Sequence, residues 1–276
     1  MRTTSLALLL LCASSASFAQ DGLWTRWLDM ASRSEAEQPQ WITPLVTTTA
    51  RLKQEFRYDV ERQTHTDGIT TDNFGVSKGL QFVPERNVEV QLGVPPFIVN
   101  NPASKDGFGD WQFRVKYRIA AADKQHGNYI LTAFYQMSLP TGQYQQGALS
   151  AIATPTLAYG KGFGNFAAQG TLGASLPTSH TRTTGRSVVW NNAFEYRIAK
   201  NFWPELEANL TYYDQGRYSG RTSVYLTPGL LIGRFRIKGR LAFSFGAGFE
   251  TAATSFHPTN HMPVFSIRFP LPPPGT

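Results

Sequence analysis

The sequence has a single cysteine among its 276 residues, Cys12, which lies in an N-terminal segment with the features of a secretion signal. The mature protein is therefore predicted to lack thiols, disulfides and cysteine-ligated metals. No run of apolar residues approaches the length of about 18 that a membrane-spanning helix requires, and the mean hydropathy is −0.27. The sequence also contains no glycine-rich phosphate loop of the right spacing and no His-Glu-x-x-His motif. The sequence thus excludes helical membrane spans, a disulfide framework, a glycine-rich phosphate loop and a His-Glu-x-x-His metal site.

The N-terminus predicts export from the cytoplasm. Arg2 gives a positive start, an apolar run extends from Leu6 to Ala13, and small residues lead up to Ala19. This order of features is typical of a secretory signal that is cleaved after Ala19. Because the apolar run is about half the length of a spanning helix, we expect residues 1–19 to be removed and not retained as an anchor.

Candidates for catalysis or metal binding are weak. The five histidines fall mostly in predicted outer loops. His257 and His261 are separated by Pro258, which breaks the helical spacing that a shared metal would use. Ser179 and His180 are adjacent in extended chain, so their side chains point to opposite sides. We therefore predict no enzyme activity, no cofactor and no metal site.

The formal net charge is +7, and aromatic residues make up 13% of the sequence. The basic residues alternate with apolar ones instead of clustering in a patch, and the chain carries an export signal, so a nucleic-acid partner is not expected. The high aromatic content fits the girdles that flank the apolar band of a membrane barrel.

Alternation of apolar and polar residues is the main positive signal, and it recurs in twelve stretches. In residues 234–250, Phe and Leu side chains fall on one face and mostly polar or small ones on the other. Since successive side chains of a strand point to opposite faces, each stretch predicts a strand with one apolar and one hydrated face. The first strand is predicted over Thr43–Asp59. Its predicted lipid-facing residues include Val46, Thr48, Ala50 and Leu52.

The connections between these strands alternate between long and short along the chain. Lys200–Asn201 and Gly233–Arg234 are short, whereas Pro95–Gly109 and Pro140–Ala151 are long. Bacterial outer-membrane barrels have an even number of strands, short periplasmic turns and long outer loops. The sequence therefore predicts an all-β fold, a closed antiparallel transmembrane β-barrel of about 12 strands in the outer membrane of a Gram-negative bacterium.

Four regions follow from these assignments. They are a signal peptide over residues 1–19, an N-terminal periplasmic or plug-like segment over 20–42, the barrel over 43–269 and a Pro-rich tail over 270–276. Apolar residues three and four apart predict a short amphipathic helix in the second region, with a partly ordered leader as the alternative. The residues in this helical pattern are Leu23, Trp24, Trp27, Leu28 and Ala31.

Charged residues on the inward face are the candidate functional residues. The lumen-lining candidates are Arg114, Lys116, Arg118, Glu205, Glu207, Arg236, Lys238 and Arg240. One interpretation is that they form salt bridges that brace the interior. The other is that a surplus of basic residues favours anionic solutes, as rings of Arg and Lys do in pores. Lys116 is expected to face Arg236 and Lys238 across the lumen.

Two segments carry a family resemblance. One is Gly107–Asp110 running into Phe113–Arg118, and the other is Leu139–Gly142 followed by Pro155–Leu157 and Gly160–Gly164. Together they resemble the outer-membrane family named for the MetA pathway of phenol degradation, which is distantly related to fatty-acid transporters. The resemblance covers about strands four to twelve. It implies a 12-stranded channel or transporter-like barrel linked to uptake of aromatic or other hydrophobic compounds, and it carries over no catalytic residues.

We therefore expect an outer-membrane channel or transporter for passive or facilitated passage of a small solute that is aromatic, hydrophobic or anionic. A non-transporting structural or surface-binding barrel with a plugged lumen is the alternative, because both functions need the same walls. The expected partners are outer-membrane lipid, the barrel assembly machinery and a small solute whose identity the sequence does not give.

Overall fold

The computed structural model describes residues 22–101, 105–144, 146–238 and 241–270. The predicted signal peptide and most of the Pro-rich tail lie outside these ranges. Helix α1 covers residues 22–36, and helix α2 is the short Thr181–Thr184 turn. Within the described ranges, no helix has the length and apolarity needed to cross a bilayer. The strands are β1 (Glu55–His65), β2 (Thr70–Gly75), β3 (Gly79–Glu85), β4 (Val88–Gly93), β5 (Phe97–Asn101), β6 (Gly107–Phe108), β7 (Trp111–Ala122), β8 (Tyr129–Leu139), β9 (Ile152–Phe163), β10 (Phe166–Pro177), β11 (Ser187–Tyr196), β12 (Phe202–Tyr213), β13 (Thr222–Lys238), β14 (Leu241–Ala252) and β15 (Thr259–Pro270).

All strands belong to one antiparallel sheet that closes on itself. The first strand pairs with the last, with Tyr58 opposite Ile267. Closure leaves no open edge, and this matters because lipid offers no hydrogen-bond partners to an unpaired backbone. The predicted closed barrel is confirmed.

The fifteen strands form twelve barrel strands, because three barrel strands are each interrupted once. β1 pairs with β3 near Phe56 and with β2 near Val60, so β2 and β3 are two halves of one barrel strand. β4 and β5 form the next, and β6 and β7 the one after. β5 and β6 extend the barrel wall through the stretch Pro95–Gly109, which the sequence predicted to be an outer loop.

The two faces of the wall differ as the alternation predicted. On β14, Phe245 and Phe249 are exposed on the outer face, whereas Ser244 and Glu250 are buried on the inner one. Connections at one end of the barrel are short, such as residues 86–87 and 164–165, and those at the other end include residues 140–151 and 178–186. We call these the short-turn end and the long-loop end.

The first strand begins later than the sequence predicted. β1 starts at Glu55, whereas the predicted start was Thr43. Ala50 and Leu52, which were expected to face lipid, are both 0% exposed inside the barrel. The backbone of this stretch bonds to side chains of the lumen wall and not to a neighbouring strand. Pro44 also lacks the N–H that an interior strand position would need.

The position of one hairpin turn also differs. β13 continues through Gly233 to Lys238, and β14 begins at Leu241, so the predicted turn at residues 233–234 is wrong. The register shifts between Gly233 and Phe235. The glycine therefore marks a β-bulge, which adds a residue to one strand without ending it. As a result, the basic residues that follow the bulge lie at the short-turn end.

A lipid-facing substitution tests this wall. Leu206 is 45% exposed on the outer face of β12, and an Arg there should lower the free energy of unfolding by about 2–4 kcal/mol if the position lies near the bilayer midplane. Leu206→Phe is the matched control and should leave stability nearly unchanged. The measurement is urea unfolding in lipid vesicles, followed by the gel mobility of the folded barrel. Equal stability of the two variants would contradict the assignment of this face to lipid.

Candidate functional site

Residues 38–54 run through the barrel lumen, and we call this segment the plug. It connects α1 at the short-turn end with the start of β1 in the barrel wall. Most of its residues are buried, including Leu45 at 1% exposure. Gln38 joins its two ends, since the Gln38 side chain donates to the carbonyl of Leu52 at 2.6 Å and accepts from the Leu52 amide at 2.9 Å. The segment is therefore a folded loop inside the lumen.

Two carboxylates of β12 bind three successive amides of the plug. The Glu207 carboxylate accepts from the amide of Val46 at 2.7 Å and from that of Thr47 at 2.6 Å. Glu205 accepts from the amide of Leu45 at 3.2 Å. A carboxyl group has two acceptor oxygens, so Glu207 can bind two neighbouring amides at once. The predicted lumen residues Glu205 and Glu207 thus fix the plug backbone in position.

Two guanidinium groups bind the carbonyls of the same turn. Arg57 donates to the carbonyl of Pro44 at 3.1 Å and also to that of Leu45. Arg268 donates to the carbonyl of Pro44 at 3.0 Å and also to that of Thr43. The plug therefore meets acceptors at its amides and donors at its carbonyls. This complementarity satisfies backbone groups that the plug, unlike a strand, cannot pair with a neighbouring strand.

A glycine socket in the wall receives the side chain of Leu45. A Cβ added at Gly229 would lie 2.6 Å from Leu45 Cδ1, and one added at Gly246 or Gly248 would lie 2.7 Å from the nearest Leu45 methyl carbon. Real Cβ atoms do not approach carbon this closely. The three glycines of β13 and β14 therefore leave the space that Leu45 fills.

A second socket on β9 receives Trp41. A Cβ added at either Gly160 or Gly162 would lie 2.6 Å from the indole ring. Trp41 is 5% exposed. The polar side of this part of the plug is held by Gln169, which donates to the carbonyl of Ile42 at 3.0 Å. The glycine-rich inner face of β9 is thus part of the plug's binding surface.

The basic residues of β7 act as braces in this state. Lys116 is 1% exposed, forms a 2.9 Å ion pair with Glu89 and donates to the plug carbonyl of Arg51 at 3.2 Å. Arg114 donates to Gln136 at 3.0 Å and to Gln91 at 2.8 Å. Arg118 donates to the carbonyl of Ser34, a buried residue of α1, at 2.6 Å. A buried charge without such partners would be costly.

The predicted basic residues beyond the bulge lie elsewhere. Arg236 and Lys238 are exposed at the short-turn end, and Arg240 lies outside the described residues. Lys116 does not face them across the lumen, because it is paired with Glu89 and the plug lies in the interior. The reason is the late turn of the β13–β14 hairpin, which extends these two strands at the short-turn end and carries Arg236 and Lys238 with them.

Helix α1 is held at the short-turn end. The indole N–H of Trp27 donates to the carbonyl of Val83 at 2.7 Å, and Ser34 donates to the carbonyl of Arg86 at 2.5 Å. Arg86 also forms a 2.6 Å ion pair with Glu37. The hydrogen bond from the Arg86 guanidinium lowers the pKa of the Glu37 carboxyl. The helix that the sequence predicted is therefore present and anchors the start of the plug.

Sequence analysis placed a plug-like segment only at residues 20–42, so it missed the part of the plug formed by residues 43–54, and it did not assign the plug-binding roles of Arg57 and Arg268. Two features of the sequence do point to the plug. Pro44 interrupts the start of the predicted first strand, and glycines cluster on the inner faces of strands where larger side chains would otherwise fill the lumen. Across the described ranges, no group of three or more His, Cys, Asp or Glu side chains could hold a metal ion.

A closed barrel with an apolar outer wall and a charged interior is the architecture of an outer-membrane β-barrel. Two solved structures share this fold. The NanC porin has a TM-score of 0.52 at 8% sequence identity, with 79% of this chain and 98% of the porin covered. An outer membrane channel from Pseudomonas putida F1 has a TM-score of 0.52 at 12% identity, with 84% of this chain and 99% of that chain covered.

The family described as "Putative MetA-pathway of phenol degradation" matches residues 43–264, and the chain belongs to this family. The match covers most of the barrel and begins inside the plug. No curated protein sequence matches the chain.

A small-to-large change in the socket should release the plug. Gly229→Ala places a methyl group against Leu45, and overpacking of this kind costs about 1–3 kcal/mol. Arg51 and Lys53 are 2% and 5% exposed, so trypsin should cleave after them only when the plug leaves. We expect cleavage of Gly229→Ala to be at least fivefold faster than that of the parent protein. The double variant Leu45→Ala/Gly229→Ala should return to slow cleavage, and equally fast cleavage of both variants would refute the socket.

Proposed function

We propose that the protein is an outer-membrane channel for passive passage of small solutes, closed by the plug in the described state and open when the plug moves. We further propose that it resides in the outer membrane of a Gram-negative bacterium, with lipid against its apolar wall, and that the barrel assembly machinery inserts it there. The fold it shares with outer-membrane channels supports the transport role. The short-turn end is then the periplasmic end, as in bacterial barrels of this kind.

The observation that carries the proposal is how the lumen is filled. A chain segment occupies it, held by hydrogen bonds between wall side chains and the plug backbone. When the segment leaves, each of these bonds is exchanged for one to water, so the net contribution of each is about 0.5–1.5 kcal/mol, or 1.5–3 kcal/mol where a charged group takes part. The plug would therefore leave at a net cost well below the gross strength of these bonds, and binding of a solute to the open state would lower that cost further.

The open lumen would present charged side chains of both signs. Glu205 and Glu207 on β12 would face water, as would Arg57 and Arg268, which now bind plug carbonyls. Polar walls of this kind favour hydrated or amphiphilic solutes over purely apolar ones. Opposite charges near each other make the mid-lumen less selective for anions than a surplus of basic residues alone would predict.

The second candidate is a barrel that never conducts, with a structural or surface-binding role. The same plug favours it, because two glycine sockets and several charge-assisted hydrogen bonds hold residues 38–54 firmly. The two candidates differ in whether the plug ever leaves the lumen.

A disulfide lock distinguishes the two. Leu45→Cys and Gly229→Cys bring two thiols together, since Cδ1 of Leu45 lies 2.6 Å from the position of a Cβ at Gly229. No cysteine follows Cys12 in the sequence. In planar bilayers we expect the oxidised double variant to be silent and to conduct after reduction, with Leu45→Cys alone conducting under both conditions.

A second variant tests whether the parent protein is a channel that opens too rarely to be detected. Glu205→Gln with Glu207→Gln replaces carboxyl groups, each with two acceptor oxygens, by amides with one acceptor oxygen each. Since Glu207 binds the Val46 and Thr47 amides through separate oxygens, the change should raise the open probability. Glu250→Gln is the matched control, since Glu250 is also a buried lumen carboxylate and forms no hydrogen bond with residues 38–54 in the described chain. Silence of the parent, reduced and Glu205→Gln/Glu207→Gln proteins alike would favour the non-conducting barrel. Equal conductance of the oxidised and reduced lock would show that the plug is not the gate.

A further inference from the structure

A cavity of about 480 Å³ opens at the short-turn end, between the first residues of the plug and the ends of β11 to β14. Its volume lies within the range of small-molecule sites, about 300–1,000 Å³. Four basic side chains line it, and none of the described lining residues is acidic. The basic residues are Arg197, Lys200, Arg234 and Arg236.

The arrangement of these cations fits an oxyanion. A concave site lined by charges of one sign concentrates ligands of the opposite sign. The planar guanidinium group forms paired hydrogen bonds to carboxylate or phosphate oxygens. Arg197 is oriented by Trp203, with its guanidinium carbon 5.6 Å from the indole ring centroid. This contact stabilises the side chain at the cavity wall.

The rest of the lining is apolar. Ile42, Trp203 and Ala242 are 4%, 7% and 0% exposed, so the apolar side chain that remains open to water is Phe235 at the rim, which is 38% exposed. An inorganic anion would leave Phe235 in contact with water. A ligand with an oxyanion head and an apolar body would cover it as well, and each buried CH₂ adds about 0.8 kcal/mol.

The cavity also adjoins the plug. Gln40 and Ile42 are part of its lining. Arg234 donates to the plug carbonyl of Trp41 at 2.7 Å and to that of Gln40 at 3.4 Å. An anion bound in the cavity would compete with these carbonyls for the same guanidinium donors. The cavity and the Trp41 end of the plug are therefore coupled through Arg234 and through the plug residues in the lining.

We infer that this cavity is a binding site for a small organic anion, a carboxylate or phosphate monoester with an apolar body, and that binding loosens the plug by drawing Arg234 away from the Trp41 carbonyl. The second half of this inference rests on the proposed channel function, whereas the first half does not. The site gives the solute itself a means of opening the lumen from the short-turn end.

Titration calorimetry of the full mature protein in detergent tests the site without any measurement of conductance. The probes are hexanoate, hexyl phosphate, hexanol and acetate, with protein-free micelles as the blank. We expect hexanoate or hexyl phosphate to bind at least tenfold more tightly than hexanol and acetate, and the tighter of the two identifies the head group. Equal binding of hexanol or of acetate would overturn the site, because charge and apolar body are both required.

The test variant and its matched control change basic residues at the same end of the barrel. Arg197→Gln with Arg236→Gln removes two lining cations and should weaken binding of the better probe at least tenfold. Lys238→Gln removes an exposed cation of the same mouth that does not line the cavity, and it should bind within twofold of the parent. The heat-dependent gel shift of each variant establishes that its barrel is folded. Equal affinity of a folded Arg197→Gln/Arg236→Gln variant and of Lys238→Gln would refute the site.

Coupling to the plug is read by trypsin cleavage after Arg51 and Lys53. The better probe should speed cleavage at least fivefold in the parent protein and leave the rate of the Arg197→Gln/Arg236→Gln variant unchanged. Binding without faster cleavage would refute the coupling. Binding and coupling in a protein that never conducts would instead refute the channel function and leave the site in place.

Discussion

The requirement that every backbone amide and carbonyl be paired inside a lipid bilayer controls this structure. Water is absent there, so a strand needs a partner on each side, and the sheet must close. The pairing of β1 with β15 completes the ring. Closure separates two solvents, with lipid outside and a polar compartment inside. That separation allows charged residues such as Lys116, Glu207 and Arg268 to lie within the thickness of a membrane, provided that they find partners.

The plug supplies many of those partners. Glu207 binds two of its amides, and Arg57 and Arg268 bind its carbonyls. Removing one member of such a set leaves a buried charge uncompensated, which is strongly destabilising. Water entering an open lumen would hydrate these groups instead. In the proposed open state these charges would line an aqueous path, so one set of residues would serve both the closed form and the open one.

The glycines of the wall are explained by the packing of the plug against it. Glycine weakens a strand, because it has no side chain to pack and loses more backbone entropy than other residues. In β9, β13 and β14 it occurs on the inner face where Trp41 and Leu45 approach the backbone. The cost to the strands is offset by the burial of two large apolar side chains of the plug. Plug and wall are thus shaped for each other.

The sequence by itself determined the barrel. A period of two distinguishes the lipid-facing from the lumen-facing side of each strand, and connection lengths give the order and number of the strands. It also placed Glu205, Glu207 and Lys116 on the inner face, because the face on which a side chain lies follows from its odd or even position along the strand.

Tertiary structure alone decided that residues 43–54 leave the wall. Their alternation is the same whether their backbone pairs with a strand or with lumen side chains, and only the contacts with Glu205, Arg57 and the glycine socket separate the two. It also decided that Gly233 is a bulge within β13. A glycine fits a bulge or a turn equally well, and the register of the neighbouring strands chooses between them.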